Sequence, residues 1–440
     1  MENIANFVKQ FSLEHVPNEV IERAKLMLLD SIAAIAYGTK HKNITDLIKS
    51  FDHNQEAPTN NTIPIIGTNK QLDIQNASFI NAIAMVSFEL DEGNPKAKGH
   101  PAAHFLPALL SLAIANRLSG NTFLEAFIVN YEISARLGAT LSLHEEIHPH
   151  GNWGVFGNGF GVGKLLNWQE EDFVKGSMLS SSFAFPTLWK SVLEGHEVRN
   201  VIIGLNNLHT TLLPNLVQAG YTASPKTLQE LYTKVLGNGY NELPNDLGET
   251  YYILSSYFKF YAYCRFCHSP IDATRLLVKD LELEDIKEIN VRTYSLAARL
   301  DGKEIANDFA GMFSIPYAIA AELYEYYKDS FLRDIDKKQF IEDMMKKIHV
   351  KEDELYTKQL ANKRITSVEI ELIDGTKYEK EVDRATGDPD EQNLDKKIIE
   401  KSNMFLQSVF SEEKINTLIE IILNIEHVKN MEMLQLTLQN

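Results

Sequence analysis

The segment KFYAYCRFCHSPID, from Lys259 to Asp272, divides the chain into two regions of different pattern. Before it, apolar residues recur at the three- and four-residue spacing of buried helix faces; after it, alternating runs bounded by turn residues read as strands. The fold expected from this change is mainly α, with an α+β part following a large helical one. The segment itself sets Lys259, Arg265 and His268 among Phe258, Phe260, Tyr261, Tyr263 and Phe266. Cations in such surroundings lose water and need anions. A bound carboxylate would supply them, and so would an internal pair between Arg265 and Asp272 with the aromatics as core; the segment alone leaves both readings open.

Upstream, Ile4, Phe7, Val8 and Phe11 follow helical spacing, and Val20, Ile21, Ala24, Leu28, Ile32 and Ile35 continue it after Pro17. Ala102 to Leu118 and Phe123 to Leu137 are apolar on more than one face, which predicts helices packed inside a large helical domain. HNQEAPTNNTIP, His53 to Pro64, reads as a loop leading into a short extended piece at Ile65 to Gly67. Downstream, KEINVRTY around Ile286 to Tyr294 is β-rich, and Arg364 to Val382 reads as a hairpin turning at Asp374 and Gly375. Helical pattern returns near Asp395 and runs through Ile415, Leu418, Ile421, Ile422 and Ile425. The expected organisation is a helical domain over residues 1–262, an inserted α+β lid over 263–394, and C-terminal helices over 395–440 that return to the first domain.

At 440 residues the chain exceeds what one hydrophobic core usually fills, which agrees with two domains. Its apolar fraction of 44% and charged fraction of 23% are those of a folded globular protein. A net charge of -17 without a sustained Lys/Arg stripe argues against a nucleic-acid partner. Any anionic ligand must then be drawn by a local cationic pocket. The opening MENIANFVKQF lacks a basic stretch followed by an apolar core, so it does not read as a signal peptide. The longest apolar run, Phe105 to Ala115, is too short to span a bilayer. A cytoplasmic protein without a membrane partner is expected. The two cysteines, Cys264 and Cys267, form one C-x-x-C without a second pair, which leaves a structural zinc site unsupported.

Four segments carry candidate chemistry. FELDEGNPKAKGHPAAHFLPALL brings Asp91 and Glu92 within one loop of His100, where a carboxylate can fix the imidazole tautomer while the ring exchanges a proton. The alternative is a helix-capping loop with surface charge. HEEIHPHGNWGVFGNGFGVGKLL contains the H-E-x-x-H pattern of zinc peptidases at His144 to His148, but Pro149 and Gly151 end the helix such a site needs. His148 and His150 remain able to ligate from a turn, and the glycines that follow do not make a dinucleotide fingerprint. In WKSVLEGHEVRNVIIGLNNL, Arg199 stands near a helix start, with an exposed salt bridge as the plain alternative. In DFAGMFSIPYAIAAELY, Pro316 precedes Tyr317, whose phenol sits either in a cleft or in the core.

Taken in order, these segments resemble the MmgE/PrpD family, whose members include 2-methylcitrate dehydratase, cis-aconitate decarboxylase and iminodisuccinate epimerase. The resemblance runs from LLDSIAAIAYG through the Asp91–Pro101 loop, HPHGNWGVFG at His148–Gly157, KFYAYCRFCHSPIDA and FSIPYAIA to TGDPD at Thr386–Asp390. It implies a large all-helical domain and a smaller α+β lid with the active site between them, usually in a homodimer. It also implies that no metal or organic cofactor is needed. Active-site roles are implied for Asp91, His100, His148, Lys259 and Tyr317, with His268 as a further candidate. Two departures bear on the substrate. Arg199, followed by Asn200, Val201, Ile202, Ile203 and Gly204, stands where many members have a lysine before a Leu-His-x-Gly pattern; Glu92, Gly93 and Asn94 replace a second Asp and a Thr.

The activity these readings imply is that of a cofactor-independent lyase on a small di- or tricarboxylate, foremost a 2-methylcitrate dehydratase-like hydro-lyase. A cis-aconitate decarboxylase-like or iminodisuccinate epimerase-like reaction would use the same pocket. Lys259 and Arg199 would hold carboxylates, with Arg265 and His268 as further substrate contacts. Asp91, His100 or His148 would take a proton, and another histidine or Tyr317 would give one. Two rival readings are a zinc hydrolase built on HEEIH and a non-catalytic carboxylate-binding protein.

Overall fold

The computed structural model describes residues 1–52, 62–328, 336–360 and 363–440. They form two compact units, one of Met1–Trp189, Val198–Phe258 and Gln392–Asn440, the other of Lys190–Glu197 and Lys259–Glu391. The short piece Lys190–Glu197 goes with the second unit, an excursion that no change of pattern in the sequence marks.

Helices α1 (Glu2–Gln10) and α2 (Asn18–Gly38) flank Pro17. Almost all of α2 beyond Ala24 is buried, including Asp30, so its apolar residues face neighbours on more than one side. Strands β1 (Thr62–Pro64) and β2 (Gln71–Asp73) pair antiparallel. The extended piece expected at Ile65 to Gly67 is the entry to their turn, and the strand lies three residues earlier. Residues 53–61 of the expected loop lie outside the described residues. Asp73 caps α3 (Ile74–Val86), its carboxylate accepting from the Gln75 and Asn76 amides. Here α2 and α3 touch at backbone distance: a Cβ on Gly38 would lie 2.0 Å from the Ala84 carbonyl oxygen.

The long apolar stretches form α4 (Leu106–Ala115) and α5 (Gly120–Thr140), the latter started by Ser119 accepting from the Thr122 amide at 3.2 Å. They are followed by α6 (Asn158–Leu165), α7 (Glu170–Ser181) and α8 (Val198–Gln218). Helix α8 packs on α3, and α5 on α6. This is the helical body that presents the candidate loops.

The second unit is α+β. It holds α9 (His268–Leu277), β3 (Ile286–Thr293), α10 (Ile315–Tyr327), β4 (Ile348–Glu352), β5 (Thr366–Leu372) and β6 (Lys377–Val382). The sheet runs β4-β3-β5-β6, with β3 and β4 parallel and the other neighbours antiparallel. Ile286, Ile289, Val291 and Thr293 on β3 are buried, and α9 packs on β5 and β6. The hairpin turns at Asp374 and Gly375 as its sequence predicts: Asp374 accepts from the Thr376 amide at 2.8 Å, and Gly375 takes φ +89°.

Helices α11 (Leu394–Leu406) and α12 (Glu412–Leu423) return to the first unit and pack on α2. Lys401 of α11 lies 2.7 Å from Asp30 of α2, with both side chains buried, and donates to the Leu90 carbonyl at 3.2 Å. The C-terminal segment is thereby tied to the residue that precedes Asp91. Among the described residues no helix is long and apolar enough to cross a membrane.

Candidate active site

Between α3 and α4 the chain makes a polar loop inside the protein. Asp91, Glu92 and Asn94 have no exposed surface, so the alternative of a surface capping loop is excluded. Buried polar groups must be paired, and the loop supplies the pairs. Glu92 accepts from the Ala102 amide at 2.8 Å and from the Tyr131 hydroxyl at 3.2 Å. Asn94 accepts from the Lys96 and Ala97 amides and donates to the Tyr252 carbonyl at 2.7 Å. Gly93 exchanges backbone hydrogen bonds with Tyr257, and a Cβ there would lie 2.3 Å from the Tyr257 ring. Only glycine lets the loop pass this close.

The result is a fixed Asp–His pair. His100 Nδ1 lies 2.9 Å from Asp91 Oδ2 and 2.5 Å from the Glu92 carbonyl oxygen. Both neighbours only accept, so Nδ1 carries a hydrogen and Nε2 is the nitrogen left to exchange a proton.

Around this pair the chain gathers three more imidazoles. His150 stacks on His100 with centroids 4.6 Å apart and on His148 at 4.8 Å, and His148 meets the edge of Trp189 at 4.3 Å. His104 accepts from the Gly151 amide at Nε2 (2.9 Å) and donates from Nδ1 to the His100 carbonyl (2.9 Å), which makes it neutral and structural. Burial holds His104 down to about 4 and His150 down to about 3. His148 Nδ1 accepts from the His150 amide at 3.1 Å, which puts the proton of a neutral His148 on Nε2.

Arg199, the second residue of α8, is fully buried and ion-paired with Glu89. The exposed salt bridge offered as its plain alternative is therefore replaced by a buried one. Its guanidinium also contacts His150 Nδ1 at 2.8 Å. A cation compensated by Glu89 and aimed at an imidazole differs from the carboxylate clamp expected of Arg199.

Asp91, His100 and His150 offer ligand atoms within 4.8 Å of one another, the spacing a metal ion would use. The hydrogen pattern speaks against that use. His100 Nδ1 holds a hydrogen between two acceptors, and His150 Nδ1 accepts from Arg199, so a metal on His150 Nε2 would require a doubly deprotonated ring. HEEIH lies in a strand end and turn rather than a helix, so His144 and His148 share no helix face, and the zinc-peptidase arrangement is not formed.

The remaining candidates lie in the second unit. Arg265 donates to the Ala385 and Thr386 carbonyls at 3.1 and 2.8 Å, to Asp388 at 2.6 Å and to His268 Nδ1 at 3.1 Å. Its acidic partner is thus Asp388; Asp272 accepts instead from the Tyr261 hydroxyl at 2.6 Å and the Thr386 amide at 2.7 Å. His268 has both nitrogens engaged, Nδ1 with Arg265 and Nε2 with the Tyr263 carbonyl at 3.2 Å. Arg265 is thereby a strut for the Ala385–Asp388 loop, and His268 is bound to Arg265. Lys259 is fully buried, and its charge acts on Cys267, whose thiol burial pushes well up. Tyr317 lies in the first turn of α10, its amide donating to the Ser314 cap, half-buried against Gly311, and burial raises its hydroxyl.

The structure therefore sorts the candidates by unit: Asp91, His100, His148 and Arg199 in the first, Lys259, Arg265, His268 and Tyr317 in the second. No motif in the sequence marks Glu89 or His104, and His150 stands out there only as a possible ligand. Their signal was proximity, since Glu89 stands two residues before Asp91, His104 four after His100, and His150 two after His148.

Residues 2–231 match the MmgE/PrpD N-terminal domain and residues 261–427 the MmgE/PrpD C-terminal domain. The chain belongs to the MmgE/PrpD family. Its two-part architecture, mainly α with a smaller α+β domain, is that of the family. Among its relatives is a cis-aconitate decarboxylase of Aspergillus terreus, 22% identical over 473 residues that cover 97% of this chain and 93% of the relative. The cis-aconitate decarboxylase-like protein oryM of Aspergillus oryzae is 25% identical over 66% of this chain and 65% of its own. The human cis-aconitate decarboxylase is 27% identical over 38% of this chain and 35% of its own.

Proposed function

We propose that this MmgE/PrpD protein is a lyase acting on a small di- or tricarboxylate, with Asp91 and His100 as its acid–base pair. The observation that carries the reading is the 2.9 Å contact between Asp91 Oδ2 and His100 Nδ1 inside a fully buried loop. Asp91 holds the ring with Nε2 available, and its negative charge stabilises the imidazolium that forms when Nε2 takes a proton. Removal of a proton next to a carboxylate builds enolate-like charge, for which Lys259 is the proposed counter-ion. His148 and Tyr317 are the proposed proton donors to the departing group or to the carbanion. Arg265 supports the reaction by holding the Ala385–Asp388 loop, with His268 orienting Arg265, and Arg199 acts through His150.

Dehydration of a 2-methylcitrate-like hydroxy acid is the leading form: the C–H and C–O bonds break, the electron pair closes the double bond, and the hydroxide leaves as water after protonation. The similarity to cis-aconitate decarboxylases supports a second form, in which a C–C bond breaks, carbon dioxide leaves, and the carbanion is protonated. Cytoplasmic location and a homodimer complete the proposal.

The test is incubation of purified protein with 2-methylcitrate, citrate, cis-aconitate and iminodisuccinate in heavy water, with and without chelator, followed by proton NMR. Chelator-insensitive conversion of one acid, lost in His100→Gln and Asp91→Asn, is the expected outcome. Conversion lost on chelation would return the reading to metal chemistry. Saturable thermal stabilisation by an acid, without turnover or exchange of a carbon-bound proton, would replace the lyase by a binding protein.

A further inference from the structure

Arginine donates hydrogen bonds and cannot accept them. Arg199 places Nη1 2.8 Å from His150 Nδ1 and 3.5 Å from Nε2, so the shorter contact takes the hydrogen and Nδ1 holds a lone pair. The proton of the neutral ring then belongs on Nε2, which lies 3.7 Å from Asp91 Oδ2. The 3.2 Å between Nδ1 of His148 and Nδ1 of His150 is no competing hydrogen bond, because each nitrogen accepts from elsewhere. The other end of the guanidinium is paired with Glu89, whose backbone takes the left-handed φ of 53°. That conformation costs a residue with a side chain.

Among the described residues, the charged and titratable groups facing His150 are Asp91 at Nε2, Arg199 and behind it Glu89 at Nδ1, His100 and His148 stacked on the ring, and His104 at 6.1 Å between centroids. A proton added to His150 would stand among three other imidazoles and beside a guanidinium. The same ring held neutral presents a fixed dipole, with its positive end toward Asp91.

We propose that Glu89 and Arg199 lock His150 as a neutral Nε2–H ring directed at Asp91, so that His150 serves as a fixed dipole that positions Asp91 rather than as a proton carrier. The positioning role rests on the reading of Asp91 and His100 as the acid–base pair; the lock itself does not. An amide reproduces the same polarity, with its carbonyl toward Arg199 and its NH2 toward Asp91, and cannot carry a proton.

The full chain labelled with 15N-histidine, without substrate, tests the lock by long-range proton–nitrogen correlation, the His150 signals being assigned by their loss in His150→Gln. Pyridine-type Nδ1 and pyrrole-type Nε2 are expected, unchanged between about pH 5 and 8, where an ordinary histidine titrates. An Nδ1–H tautomer, or a ring that charges in that range, overturns the proposal whether or not the protein turns over any acid. The paired change Glu89→Gln with Arg199→Met removes both charges together and is expected to release the tautomer; a failure of that variant to fold leaves the parent spectrum as the deciding measurement. For the positioning role, His150→Gln is expected to keep most of the turnover, while His150→Leu lowers kcat by about a hundredfold through a misplaced Asp91. An inactive His150→Gln, with the lock intact and the parent active, would make His150 a proton carrier and overturn the role. If no acid is turned over by the parent, the activity proposal fails while the spectrum still decides the lock.

Discussion

Replacing Lys401 by Met cuts the tie between the C-terminal helices and the loop that carries Asp91. Lys401 is 5% exposed and Asp30 0%, with Nζ 2.7 Å from Oδ1. At that separation the gross attraction is about 6 kcal/mol at an effective dielectric near 20. Desolvation of the two ions offsets much of it, but removal of the Lys401 ammonium takes this attraction from a carboxylate that stays buried, which costs about 3–5 kcal/mol. The Leu90 carbonyl also loses its donor, worth about 1 kcal/mol. Lys401→Met should therefore lower the opening free energy of α2 and α11 by about 4 kcal/mol or more, whereas Asp30→Leu with Lys401→Met should recover all but about 1 kcal/mol of it. Native-state hydrogen exchange read by mass spectrometry on peptides from the two helices is the right assay, because two compact units do not license a single two-state melt. A loss below about 1 kcal/mol in Lys401→Met, or a double variant as unstable as the sum of its parts, would refute the reasoning.

Three other outcomes follow from the geometry. His104 and His150 are held neutral in the fold, down to about 4 and about 3 from 6.5. Below about pH 6.5 the unfolded chain binds protons that the folded chain refuses, so their contribution is intact above that pH and is lost on acidification by about 1.4 kcal/mol per unit for each ring. Native-state hydrogen exchange of amides in α3 and α4, corrected for the intrinsic rate and followed from about pH 7 down to about pH 5, should show this slope, and His150→Gln should remove one ring's share of it; an unchanged slope would remove His150 from the account. Arg265→Lys keeps the charge but loses the planar fork, so exchange of the Ala385–Asp388 amides should rise about tenfold or more, and protection at the parent level would show that the fork is dispensable. Lys259→Ala should lower turnover of the identified acid by at least about a hundredfold while the far-UV circular dichroism is retained, and parent-like turnover would take Lys259 out of the site.

Much of the fold was legible because its signals are local. The spacing of apolar residues after Pro17 marks α2, Asp374 and Gly375 mark the hairpin, and the return of helical pattern near Asp395 marks α11. Burial of polar groups was not legible. FELDEGN reads equally as a solvated loop, and only the surrounding helices make Asp91 and Glu92 fully buried. Partner choice was hidden for the same reason. Arg265 takes Asp388 rather than Asp272, and Arg199 takes Glu89, pairs separated by 123 and 110 residues.

The amino-acid sequence by itself determined the family, the order of helical and α+β segments, and the residue types available for acid–base chemistry, since these follow from periodicity and from motifs that occupy short windows. Tertiary structure decided which of those residues meet and in what protonation state. His100 keeps its hydrogen on Nδ1 and leaves Nε2 without one because the Glu92 carbonyl and the Asp91 carboxylate both face Nδ1, and His150 is neutral because it is buried and its Nδ1 accepts from Arg199. A tautomer is set by the acceptors and donors around a ring and by the water excluded from it, and folding brings both about.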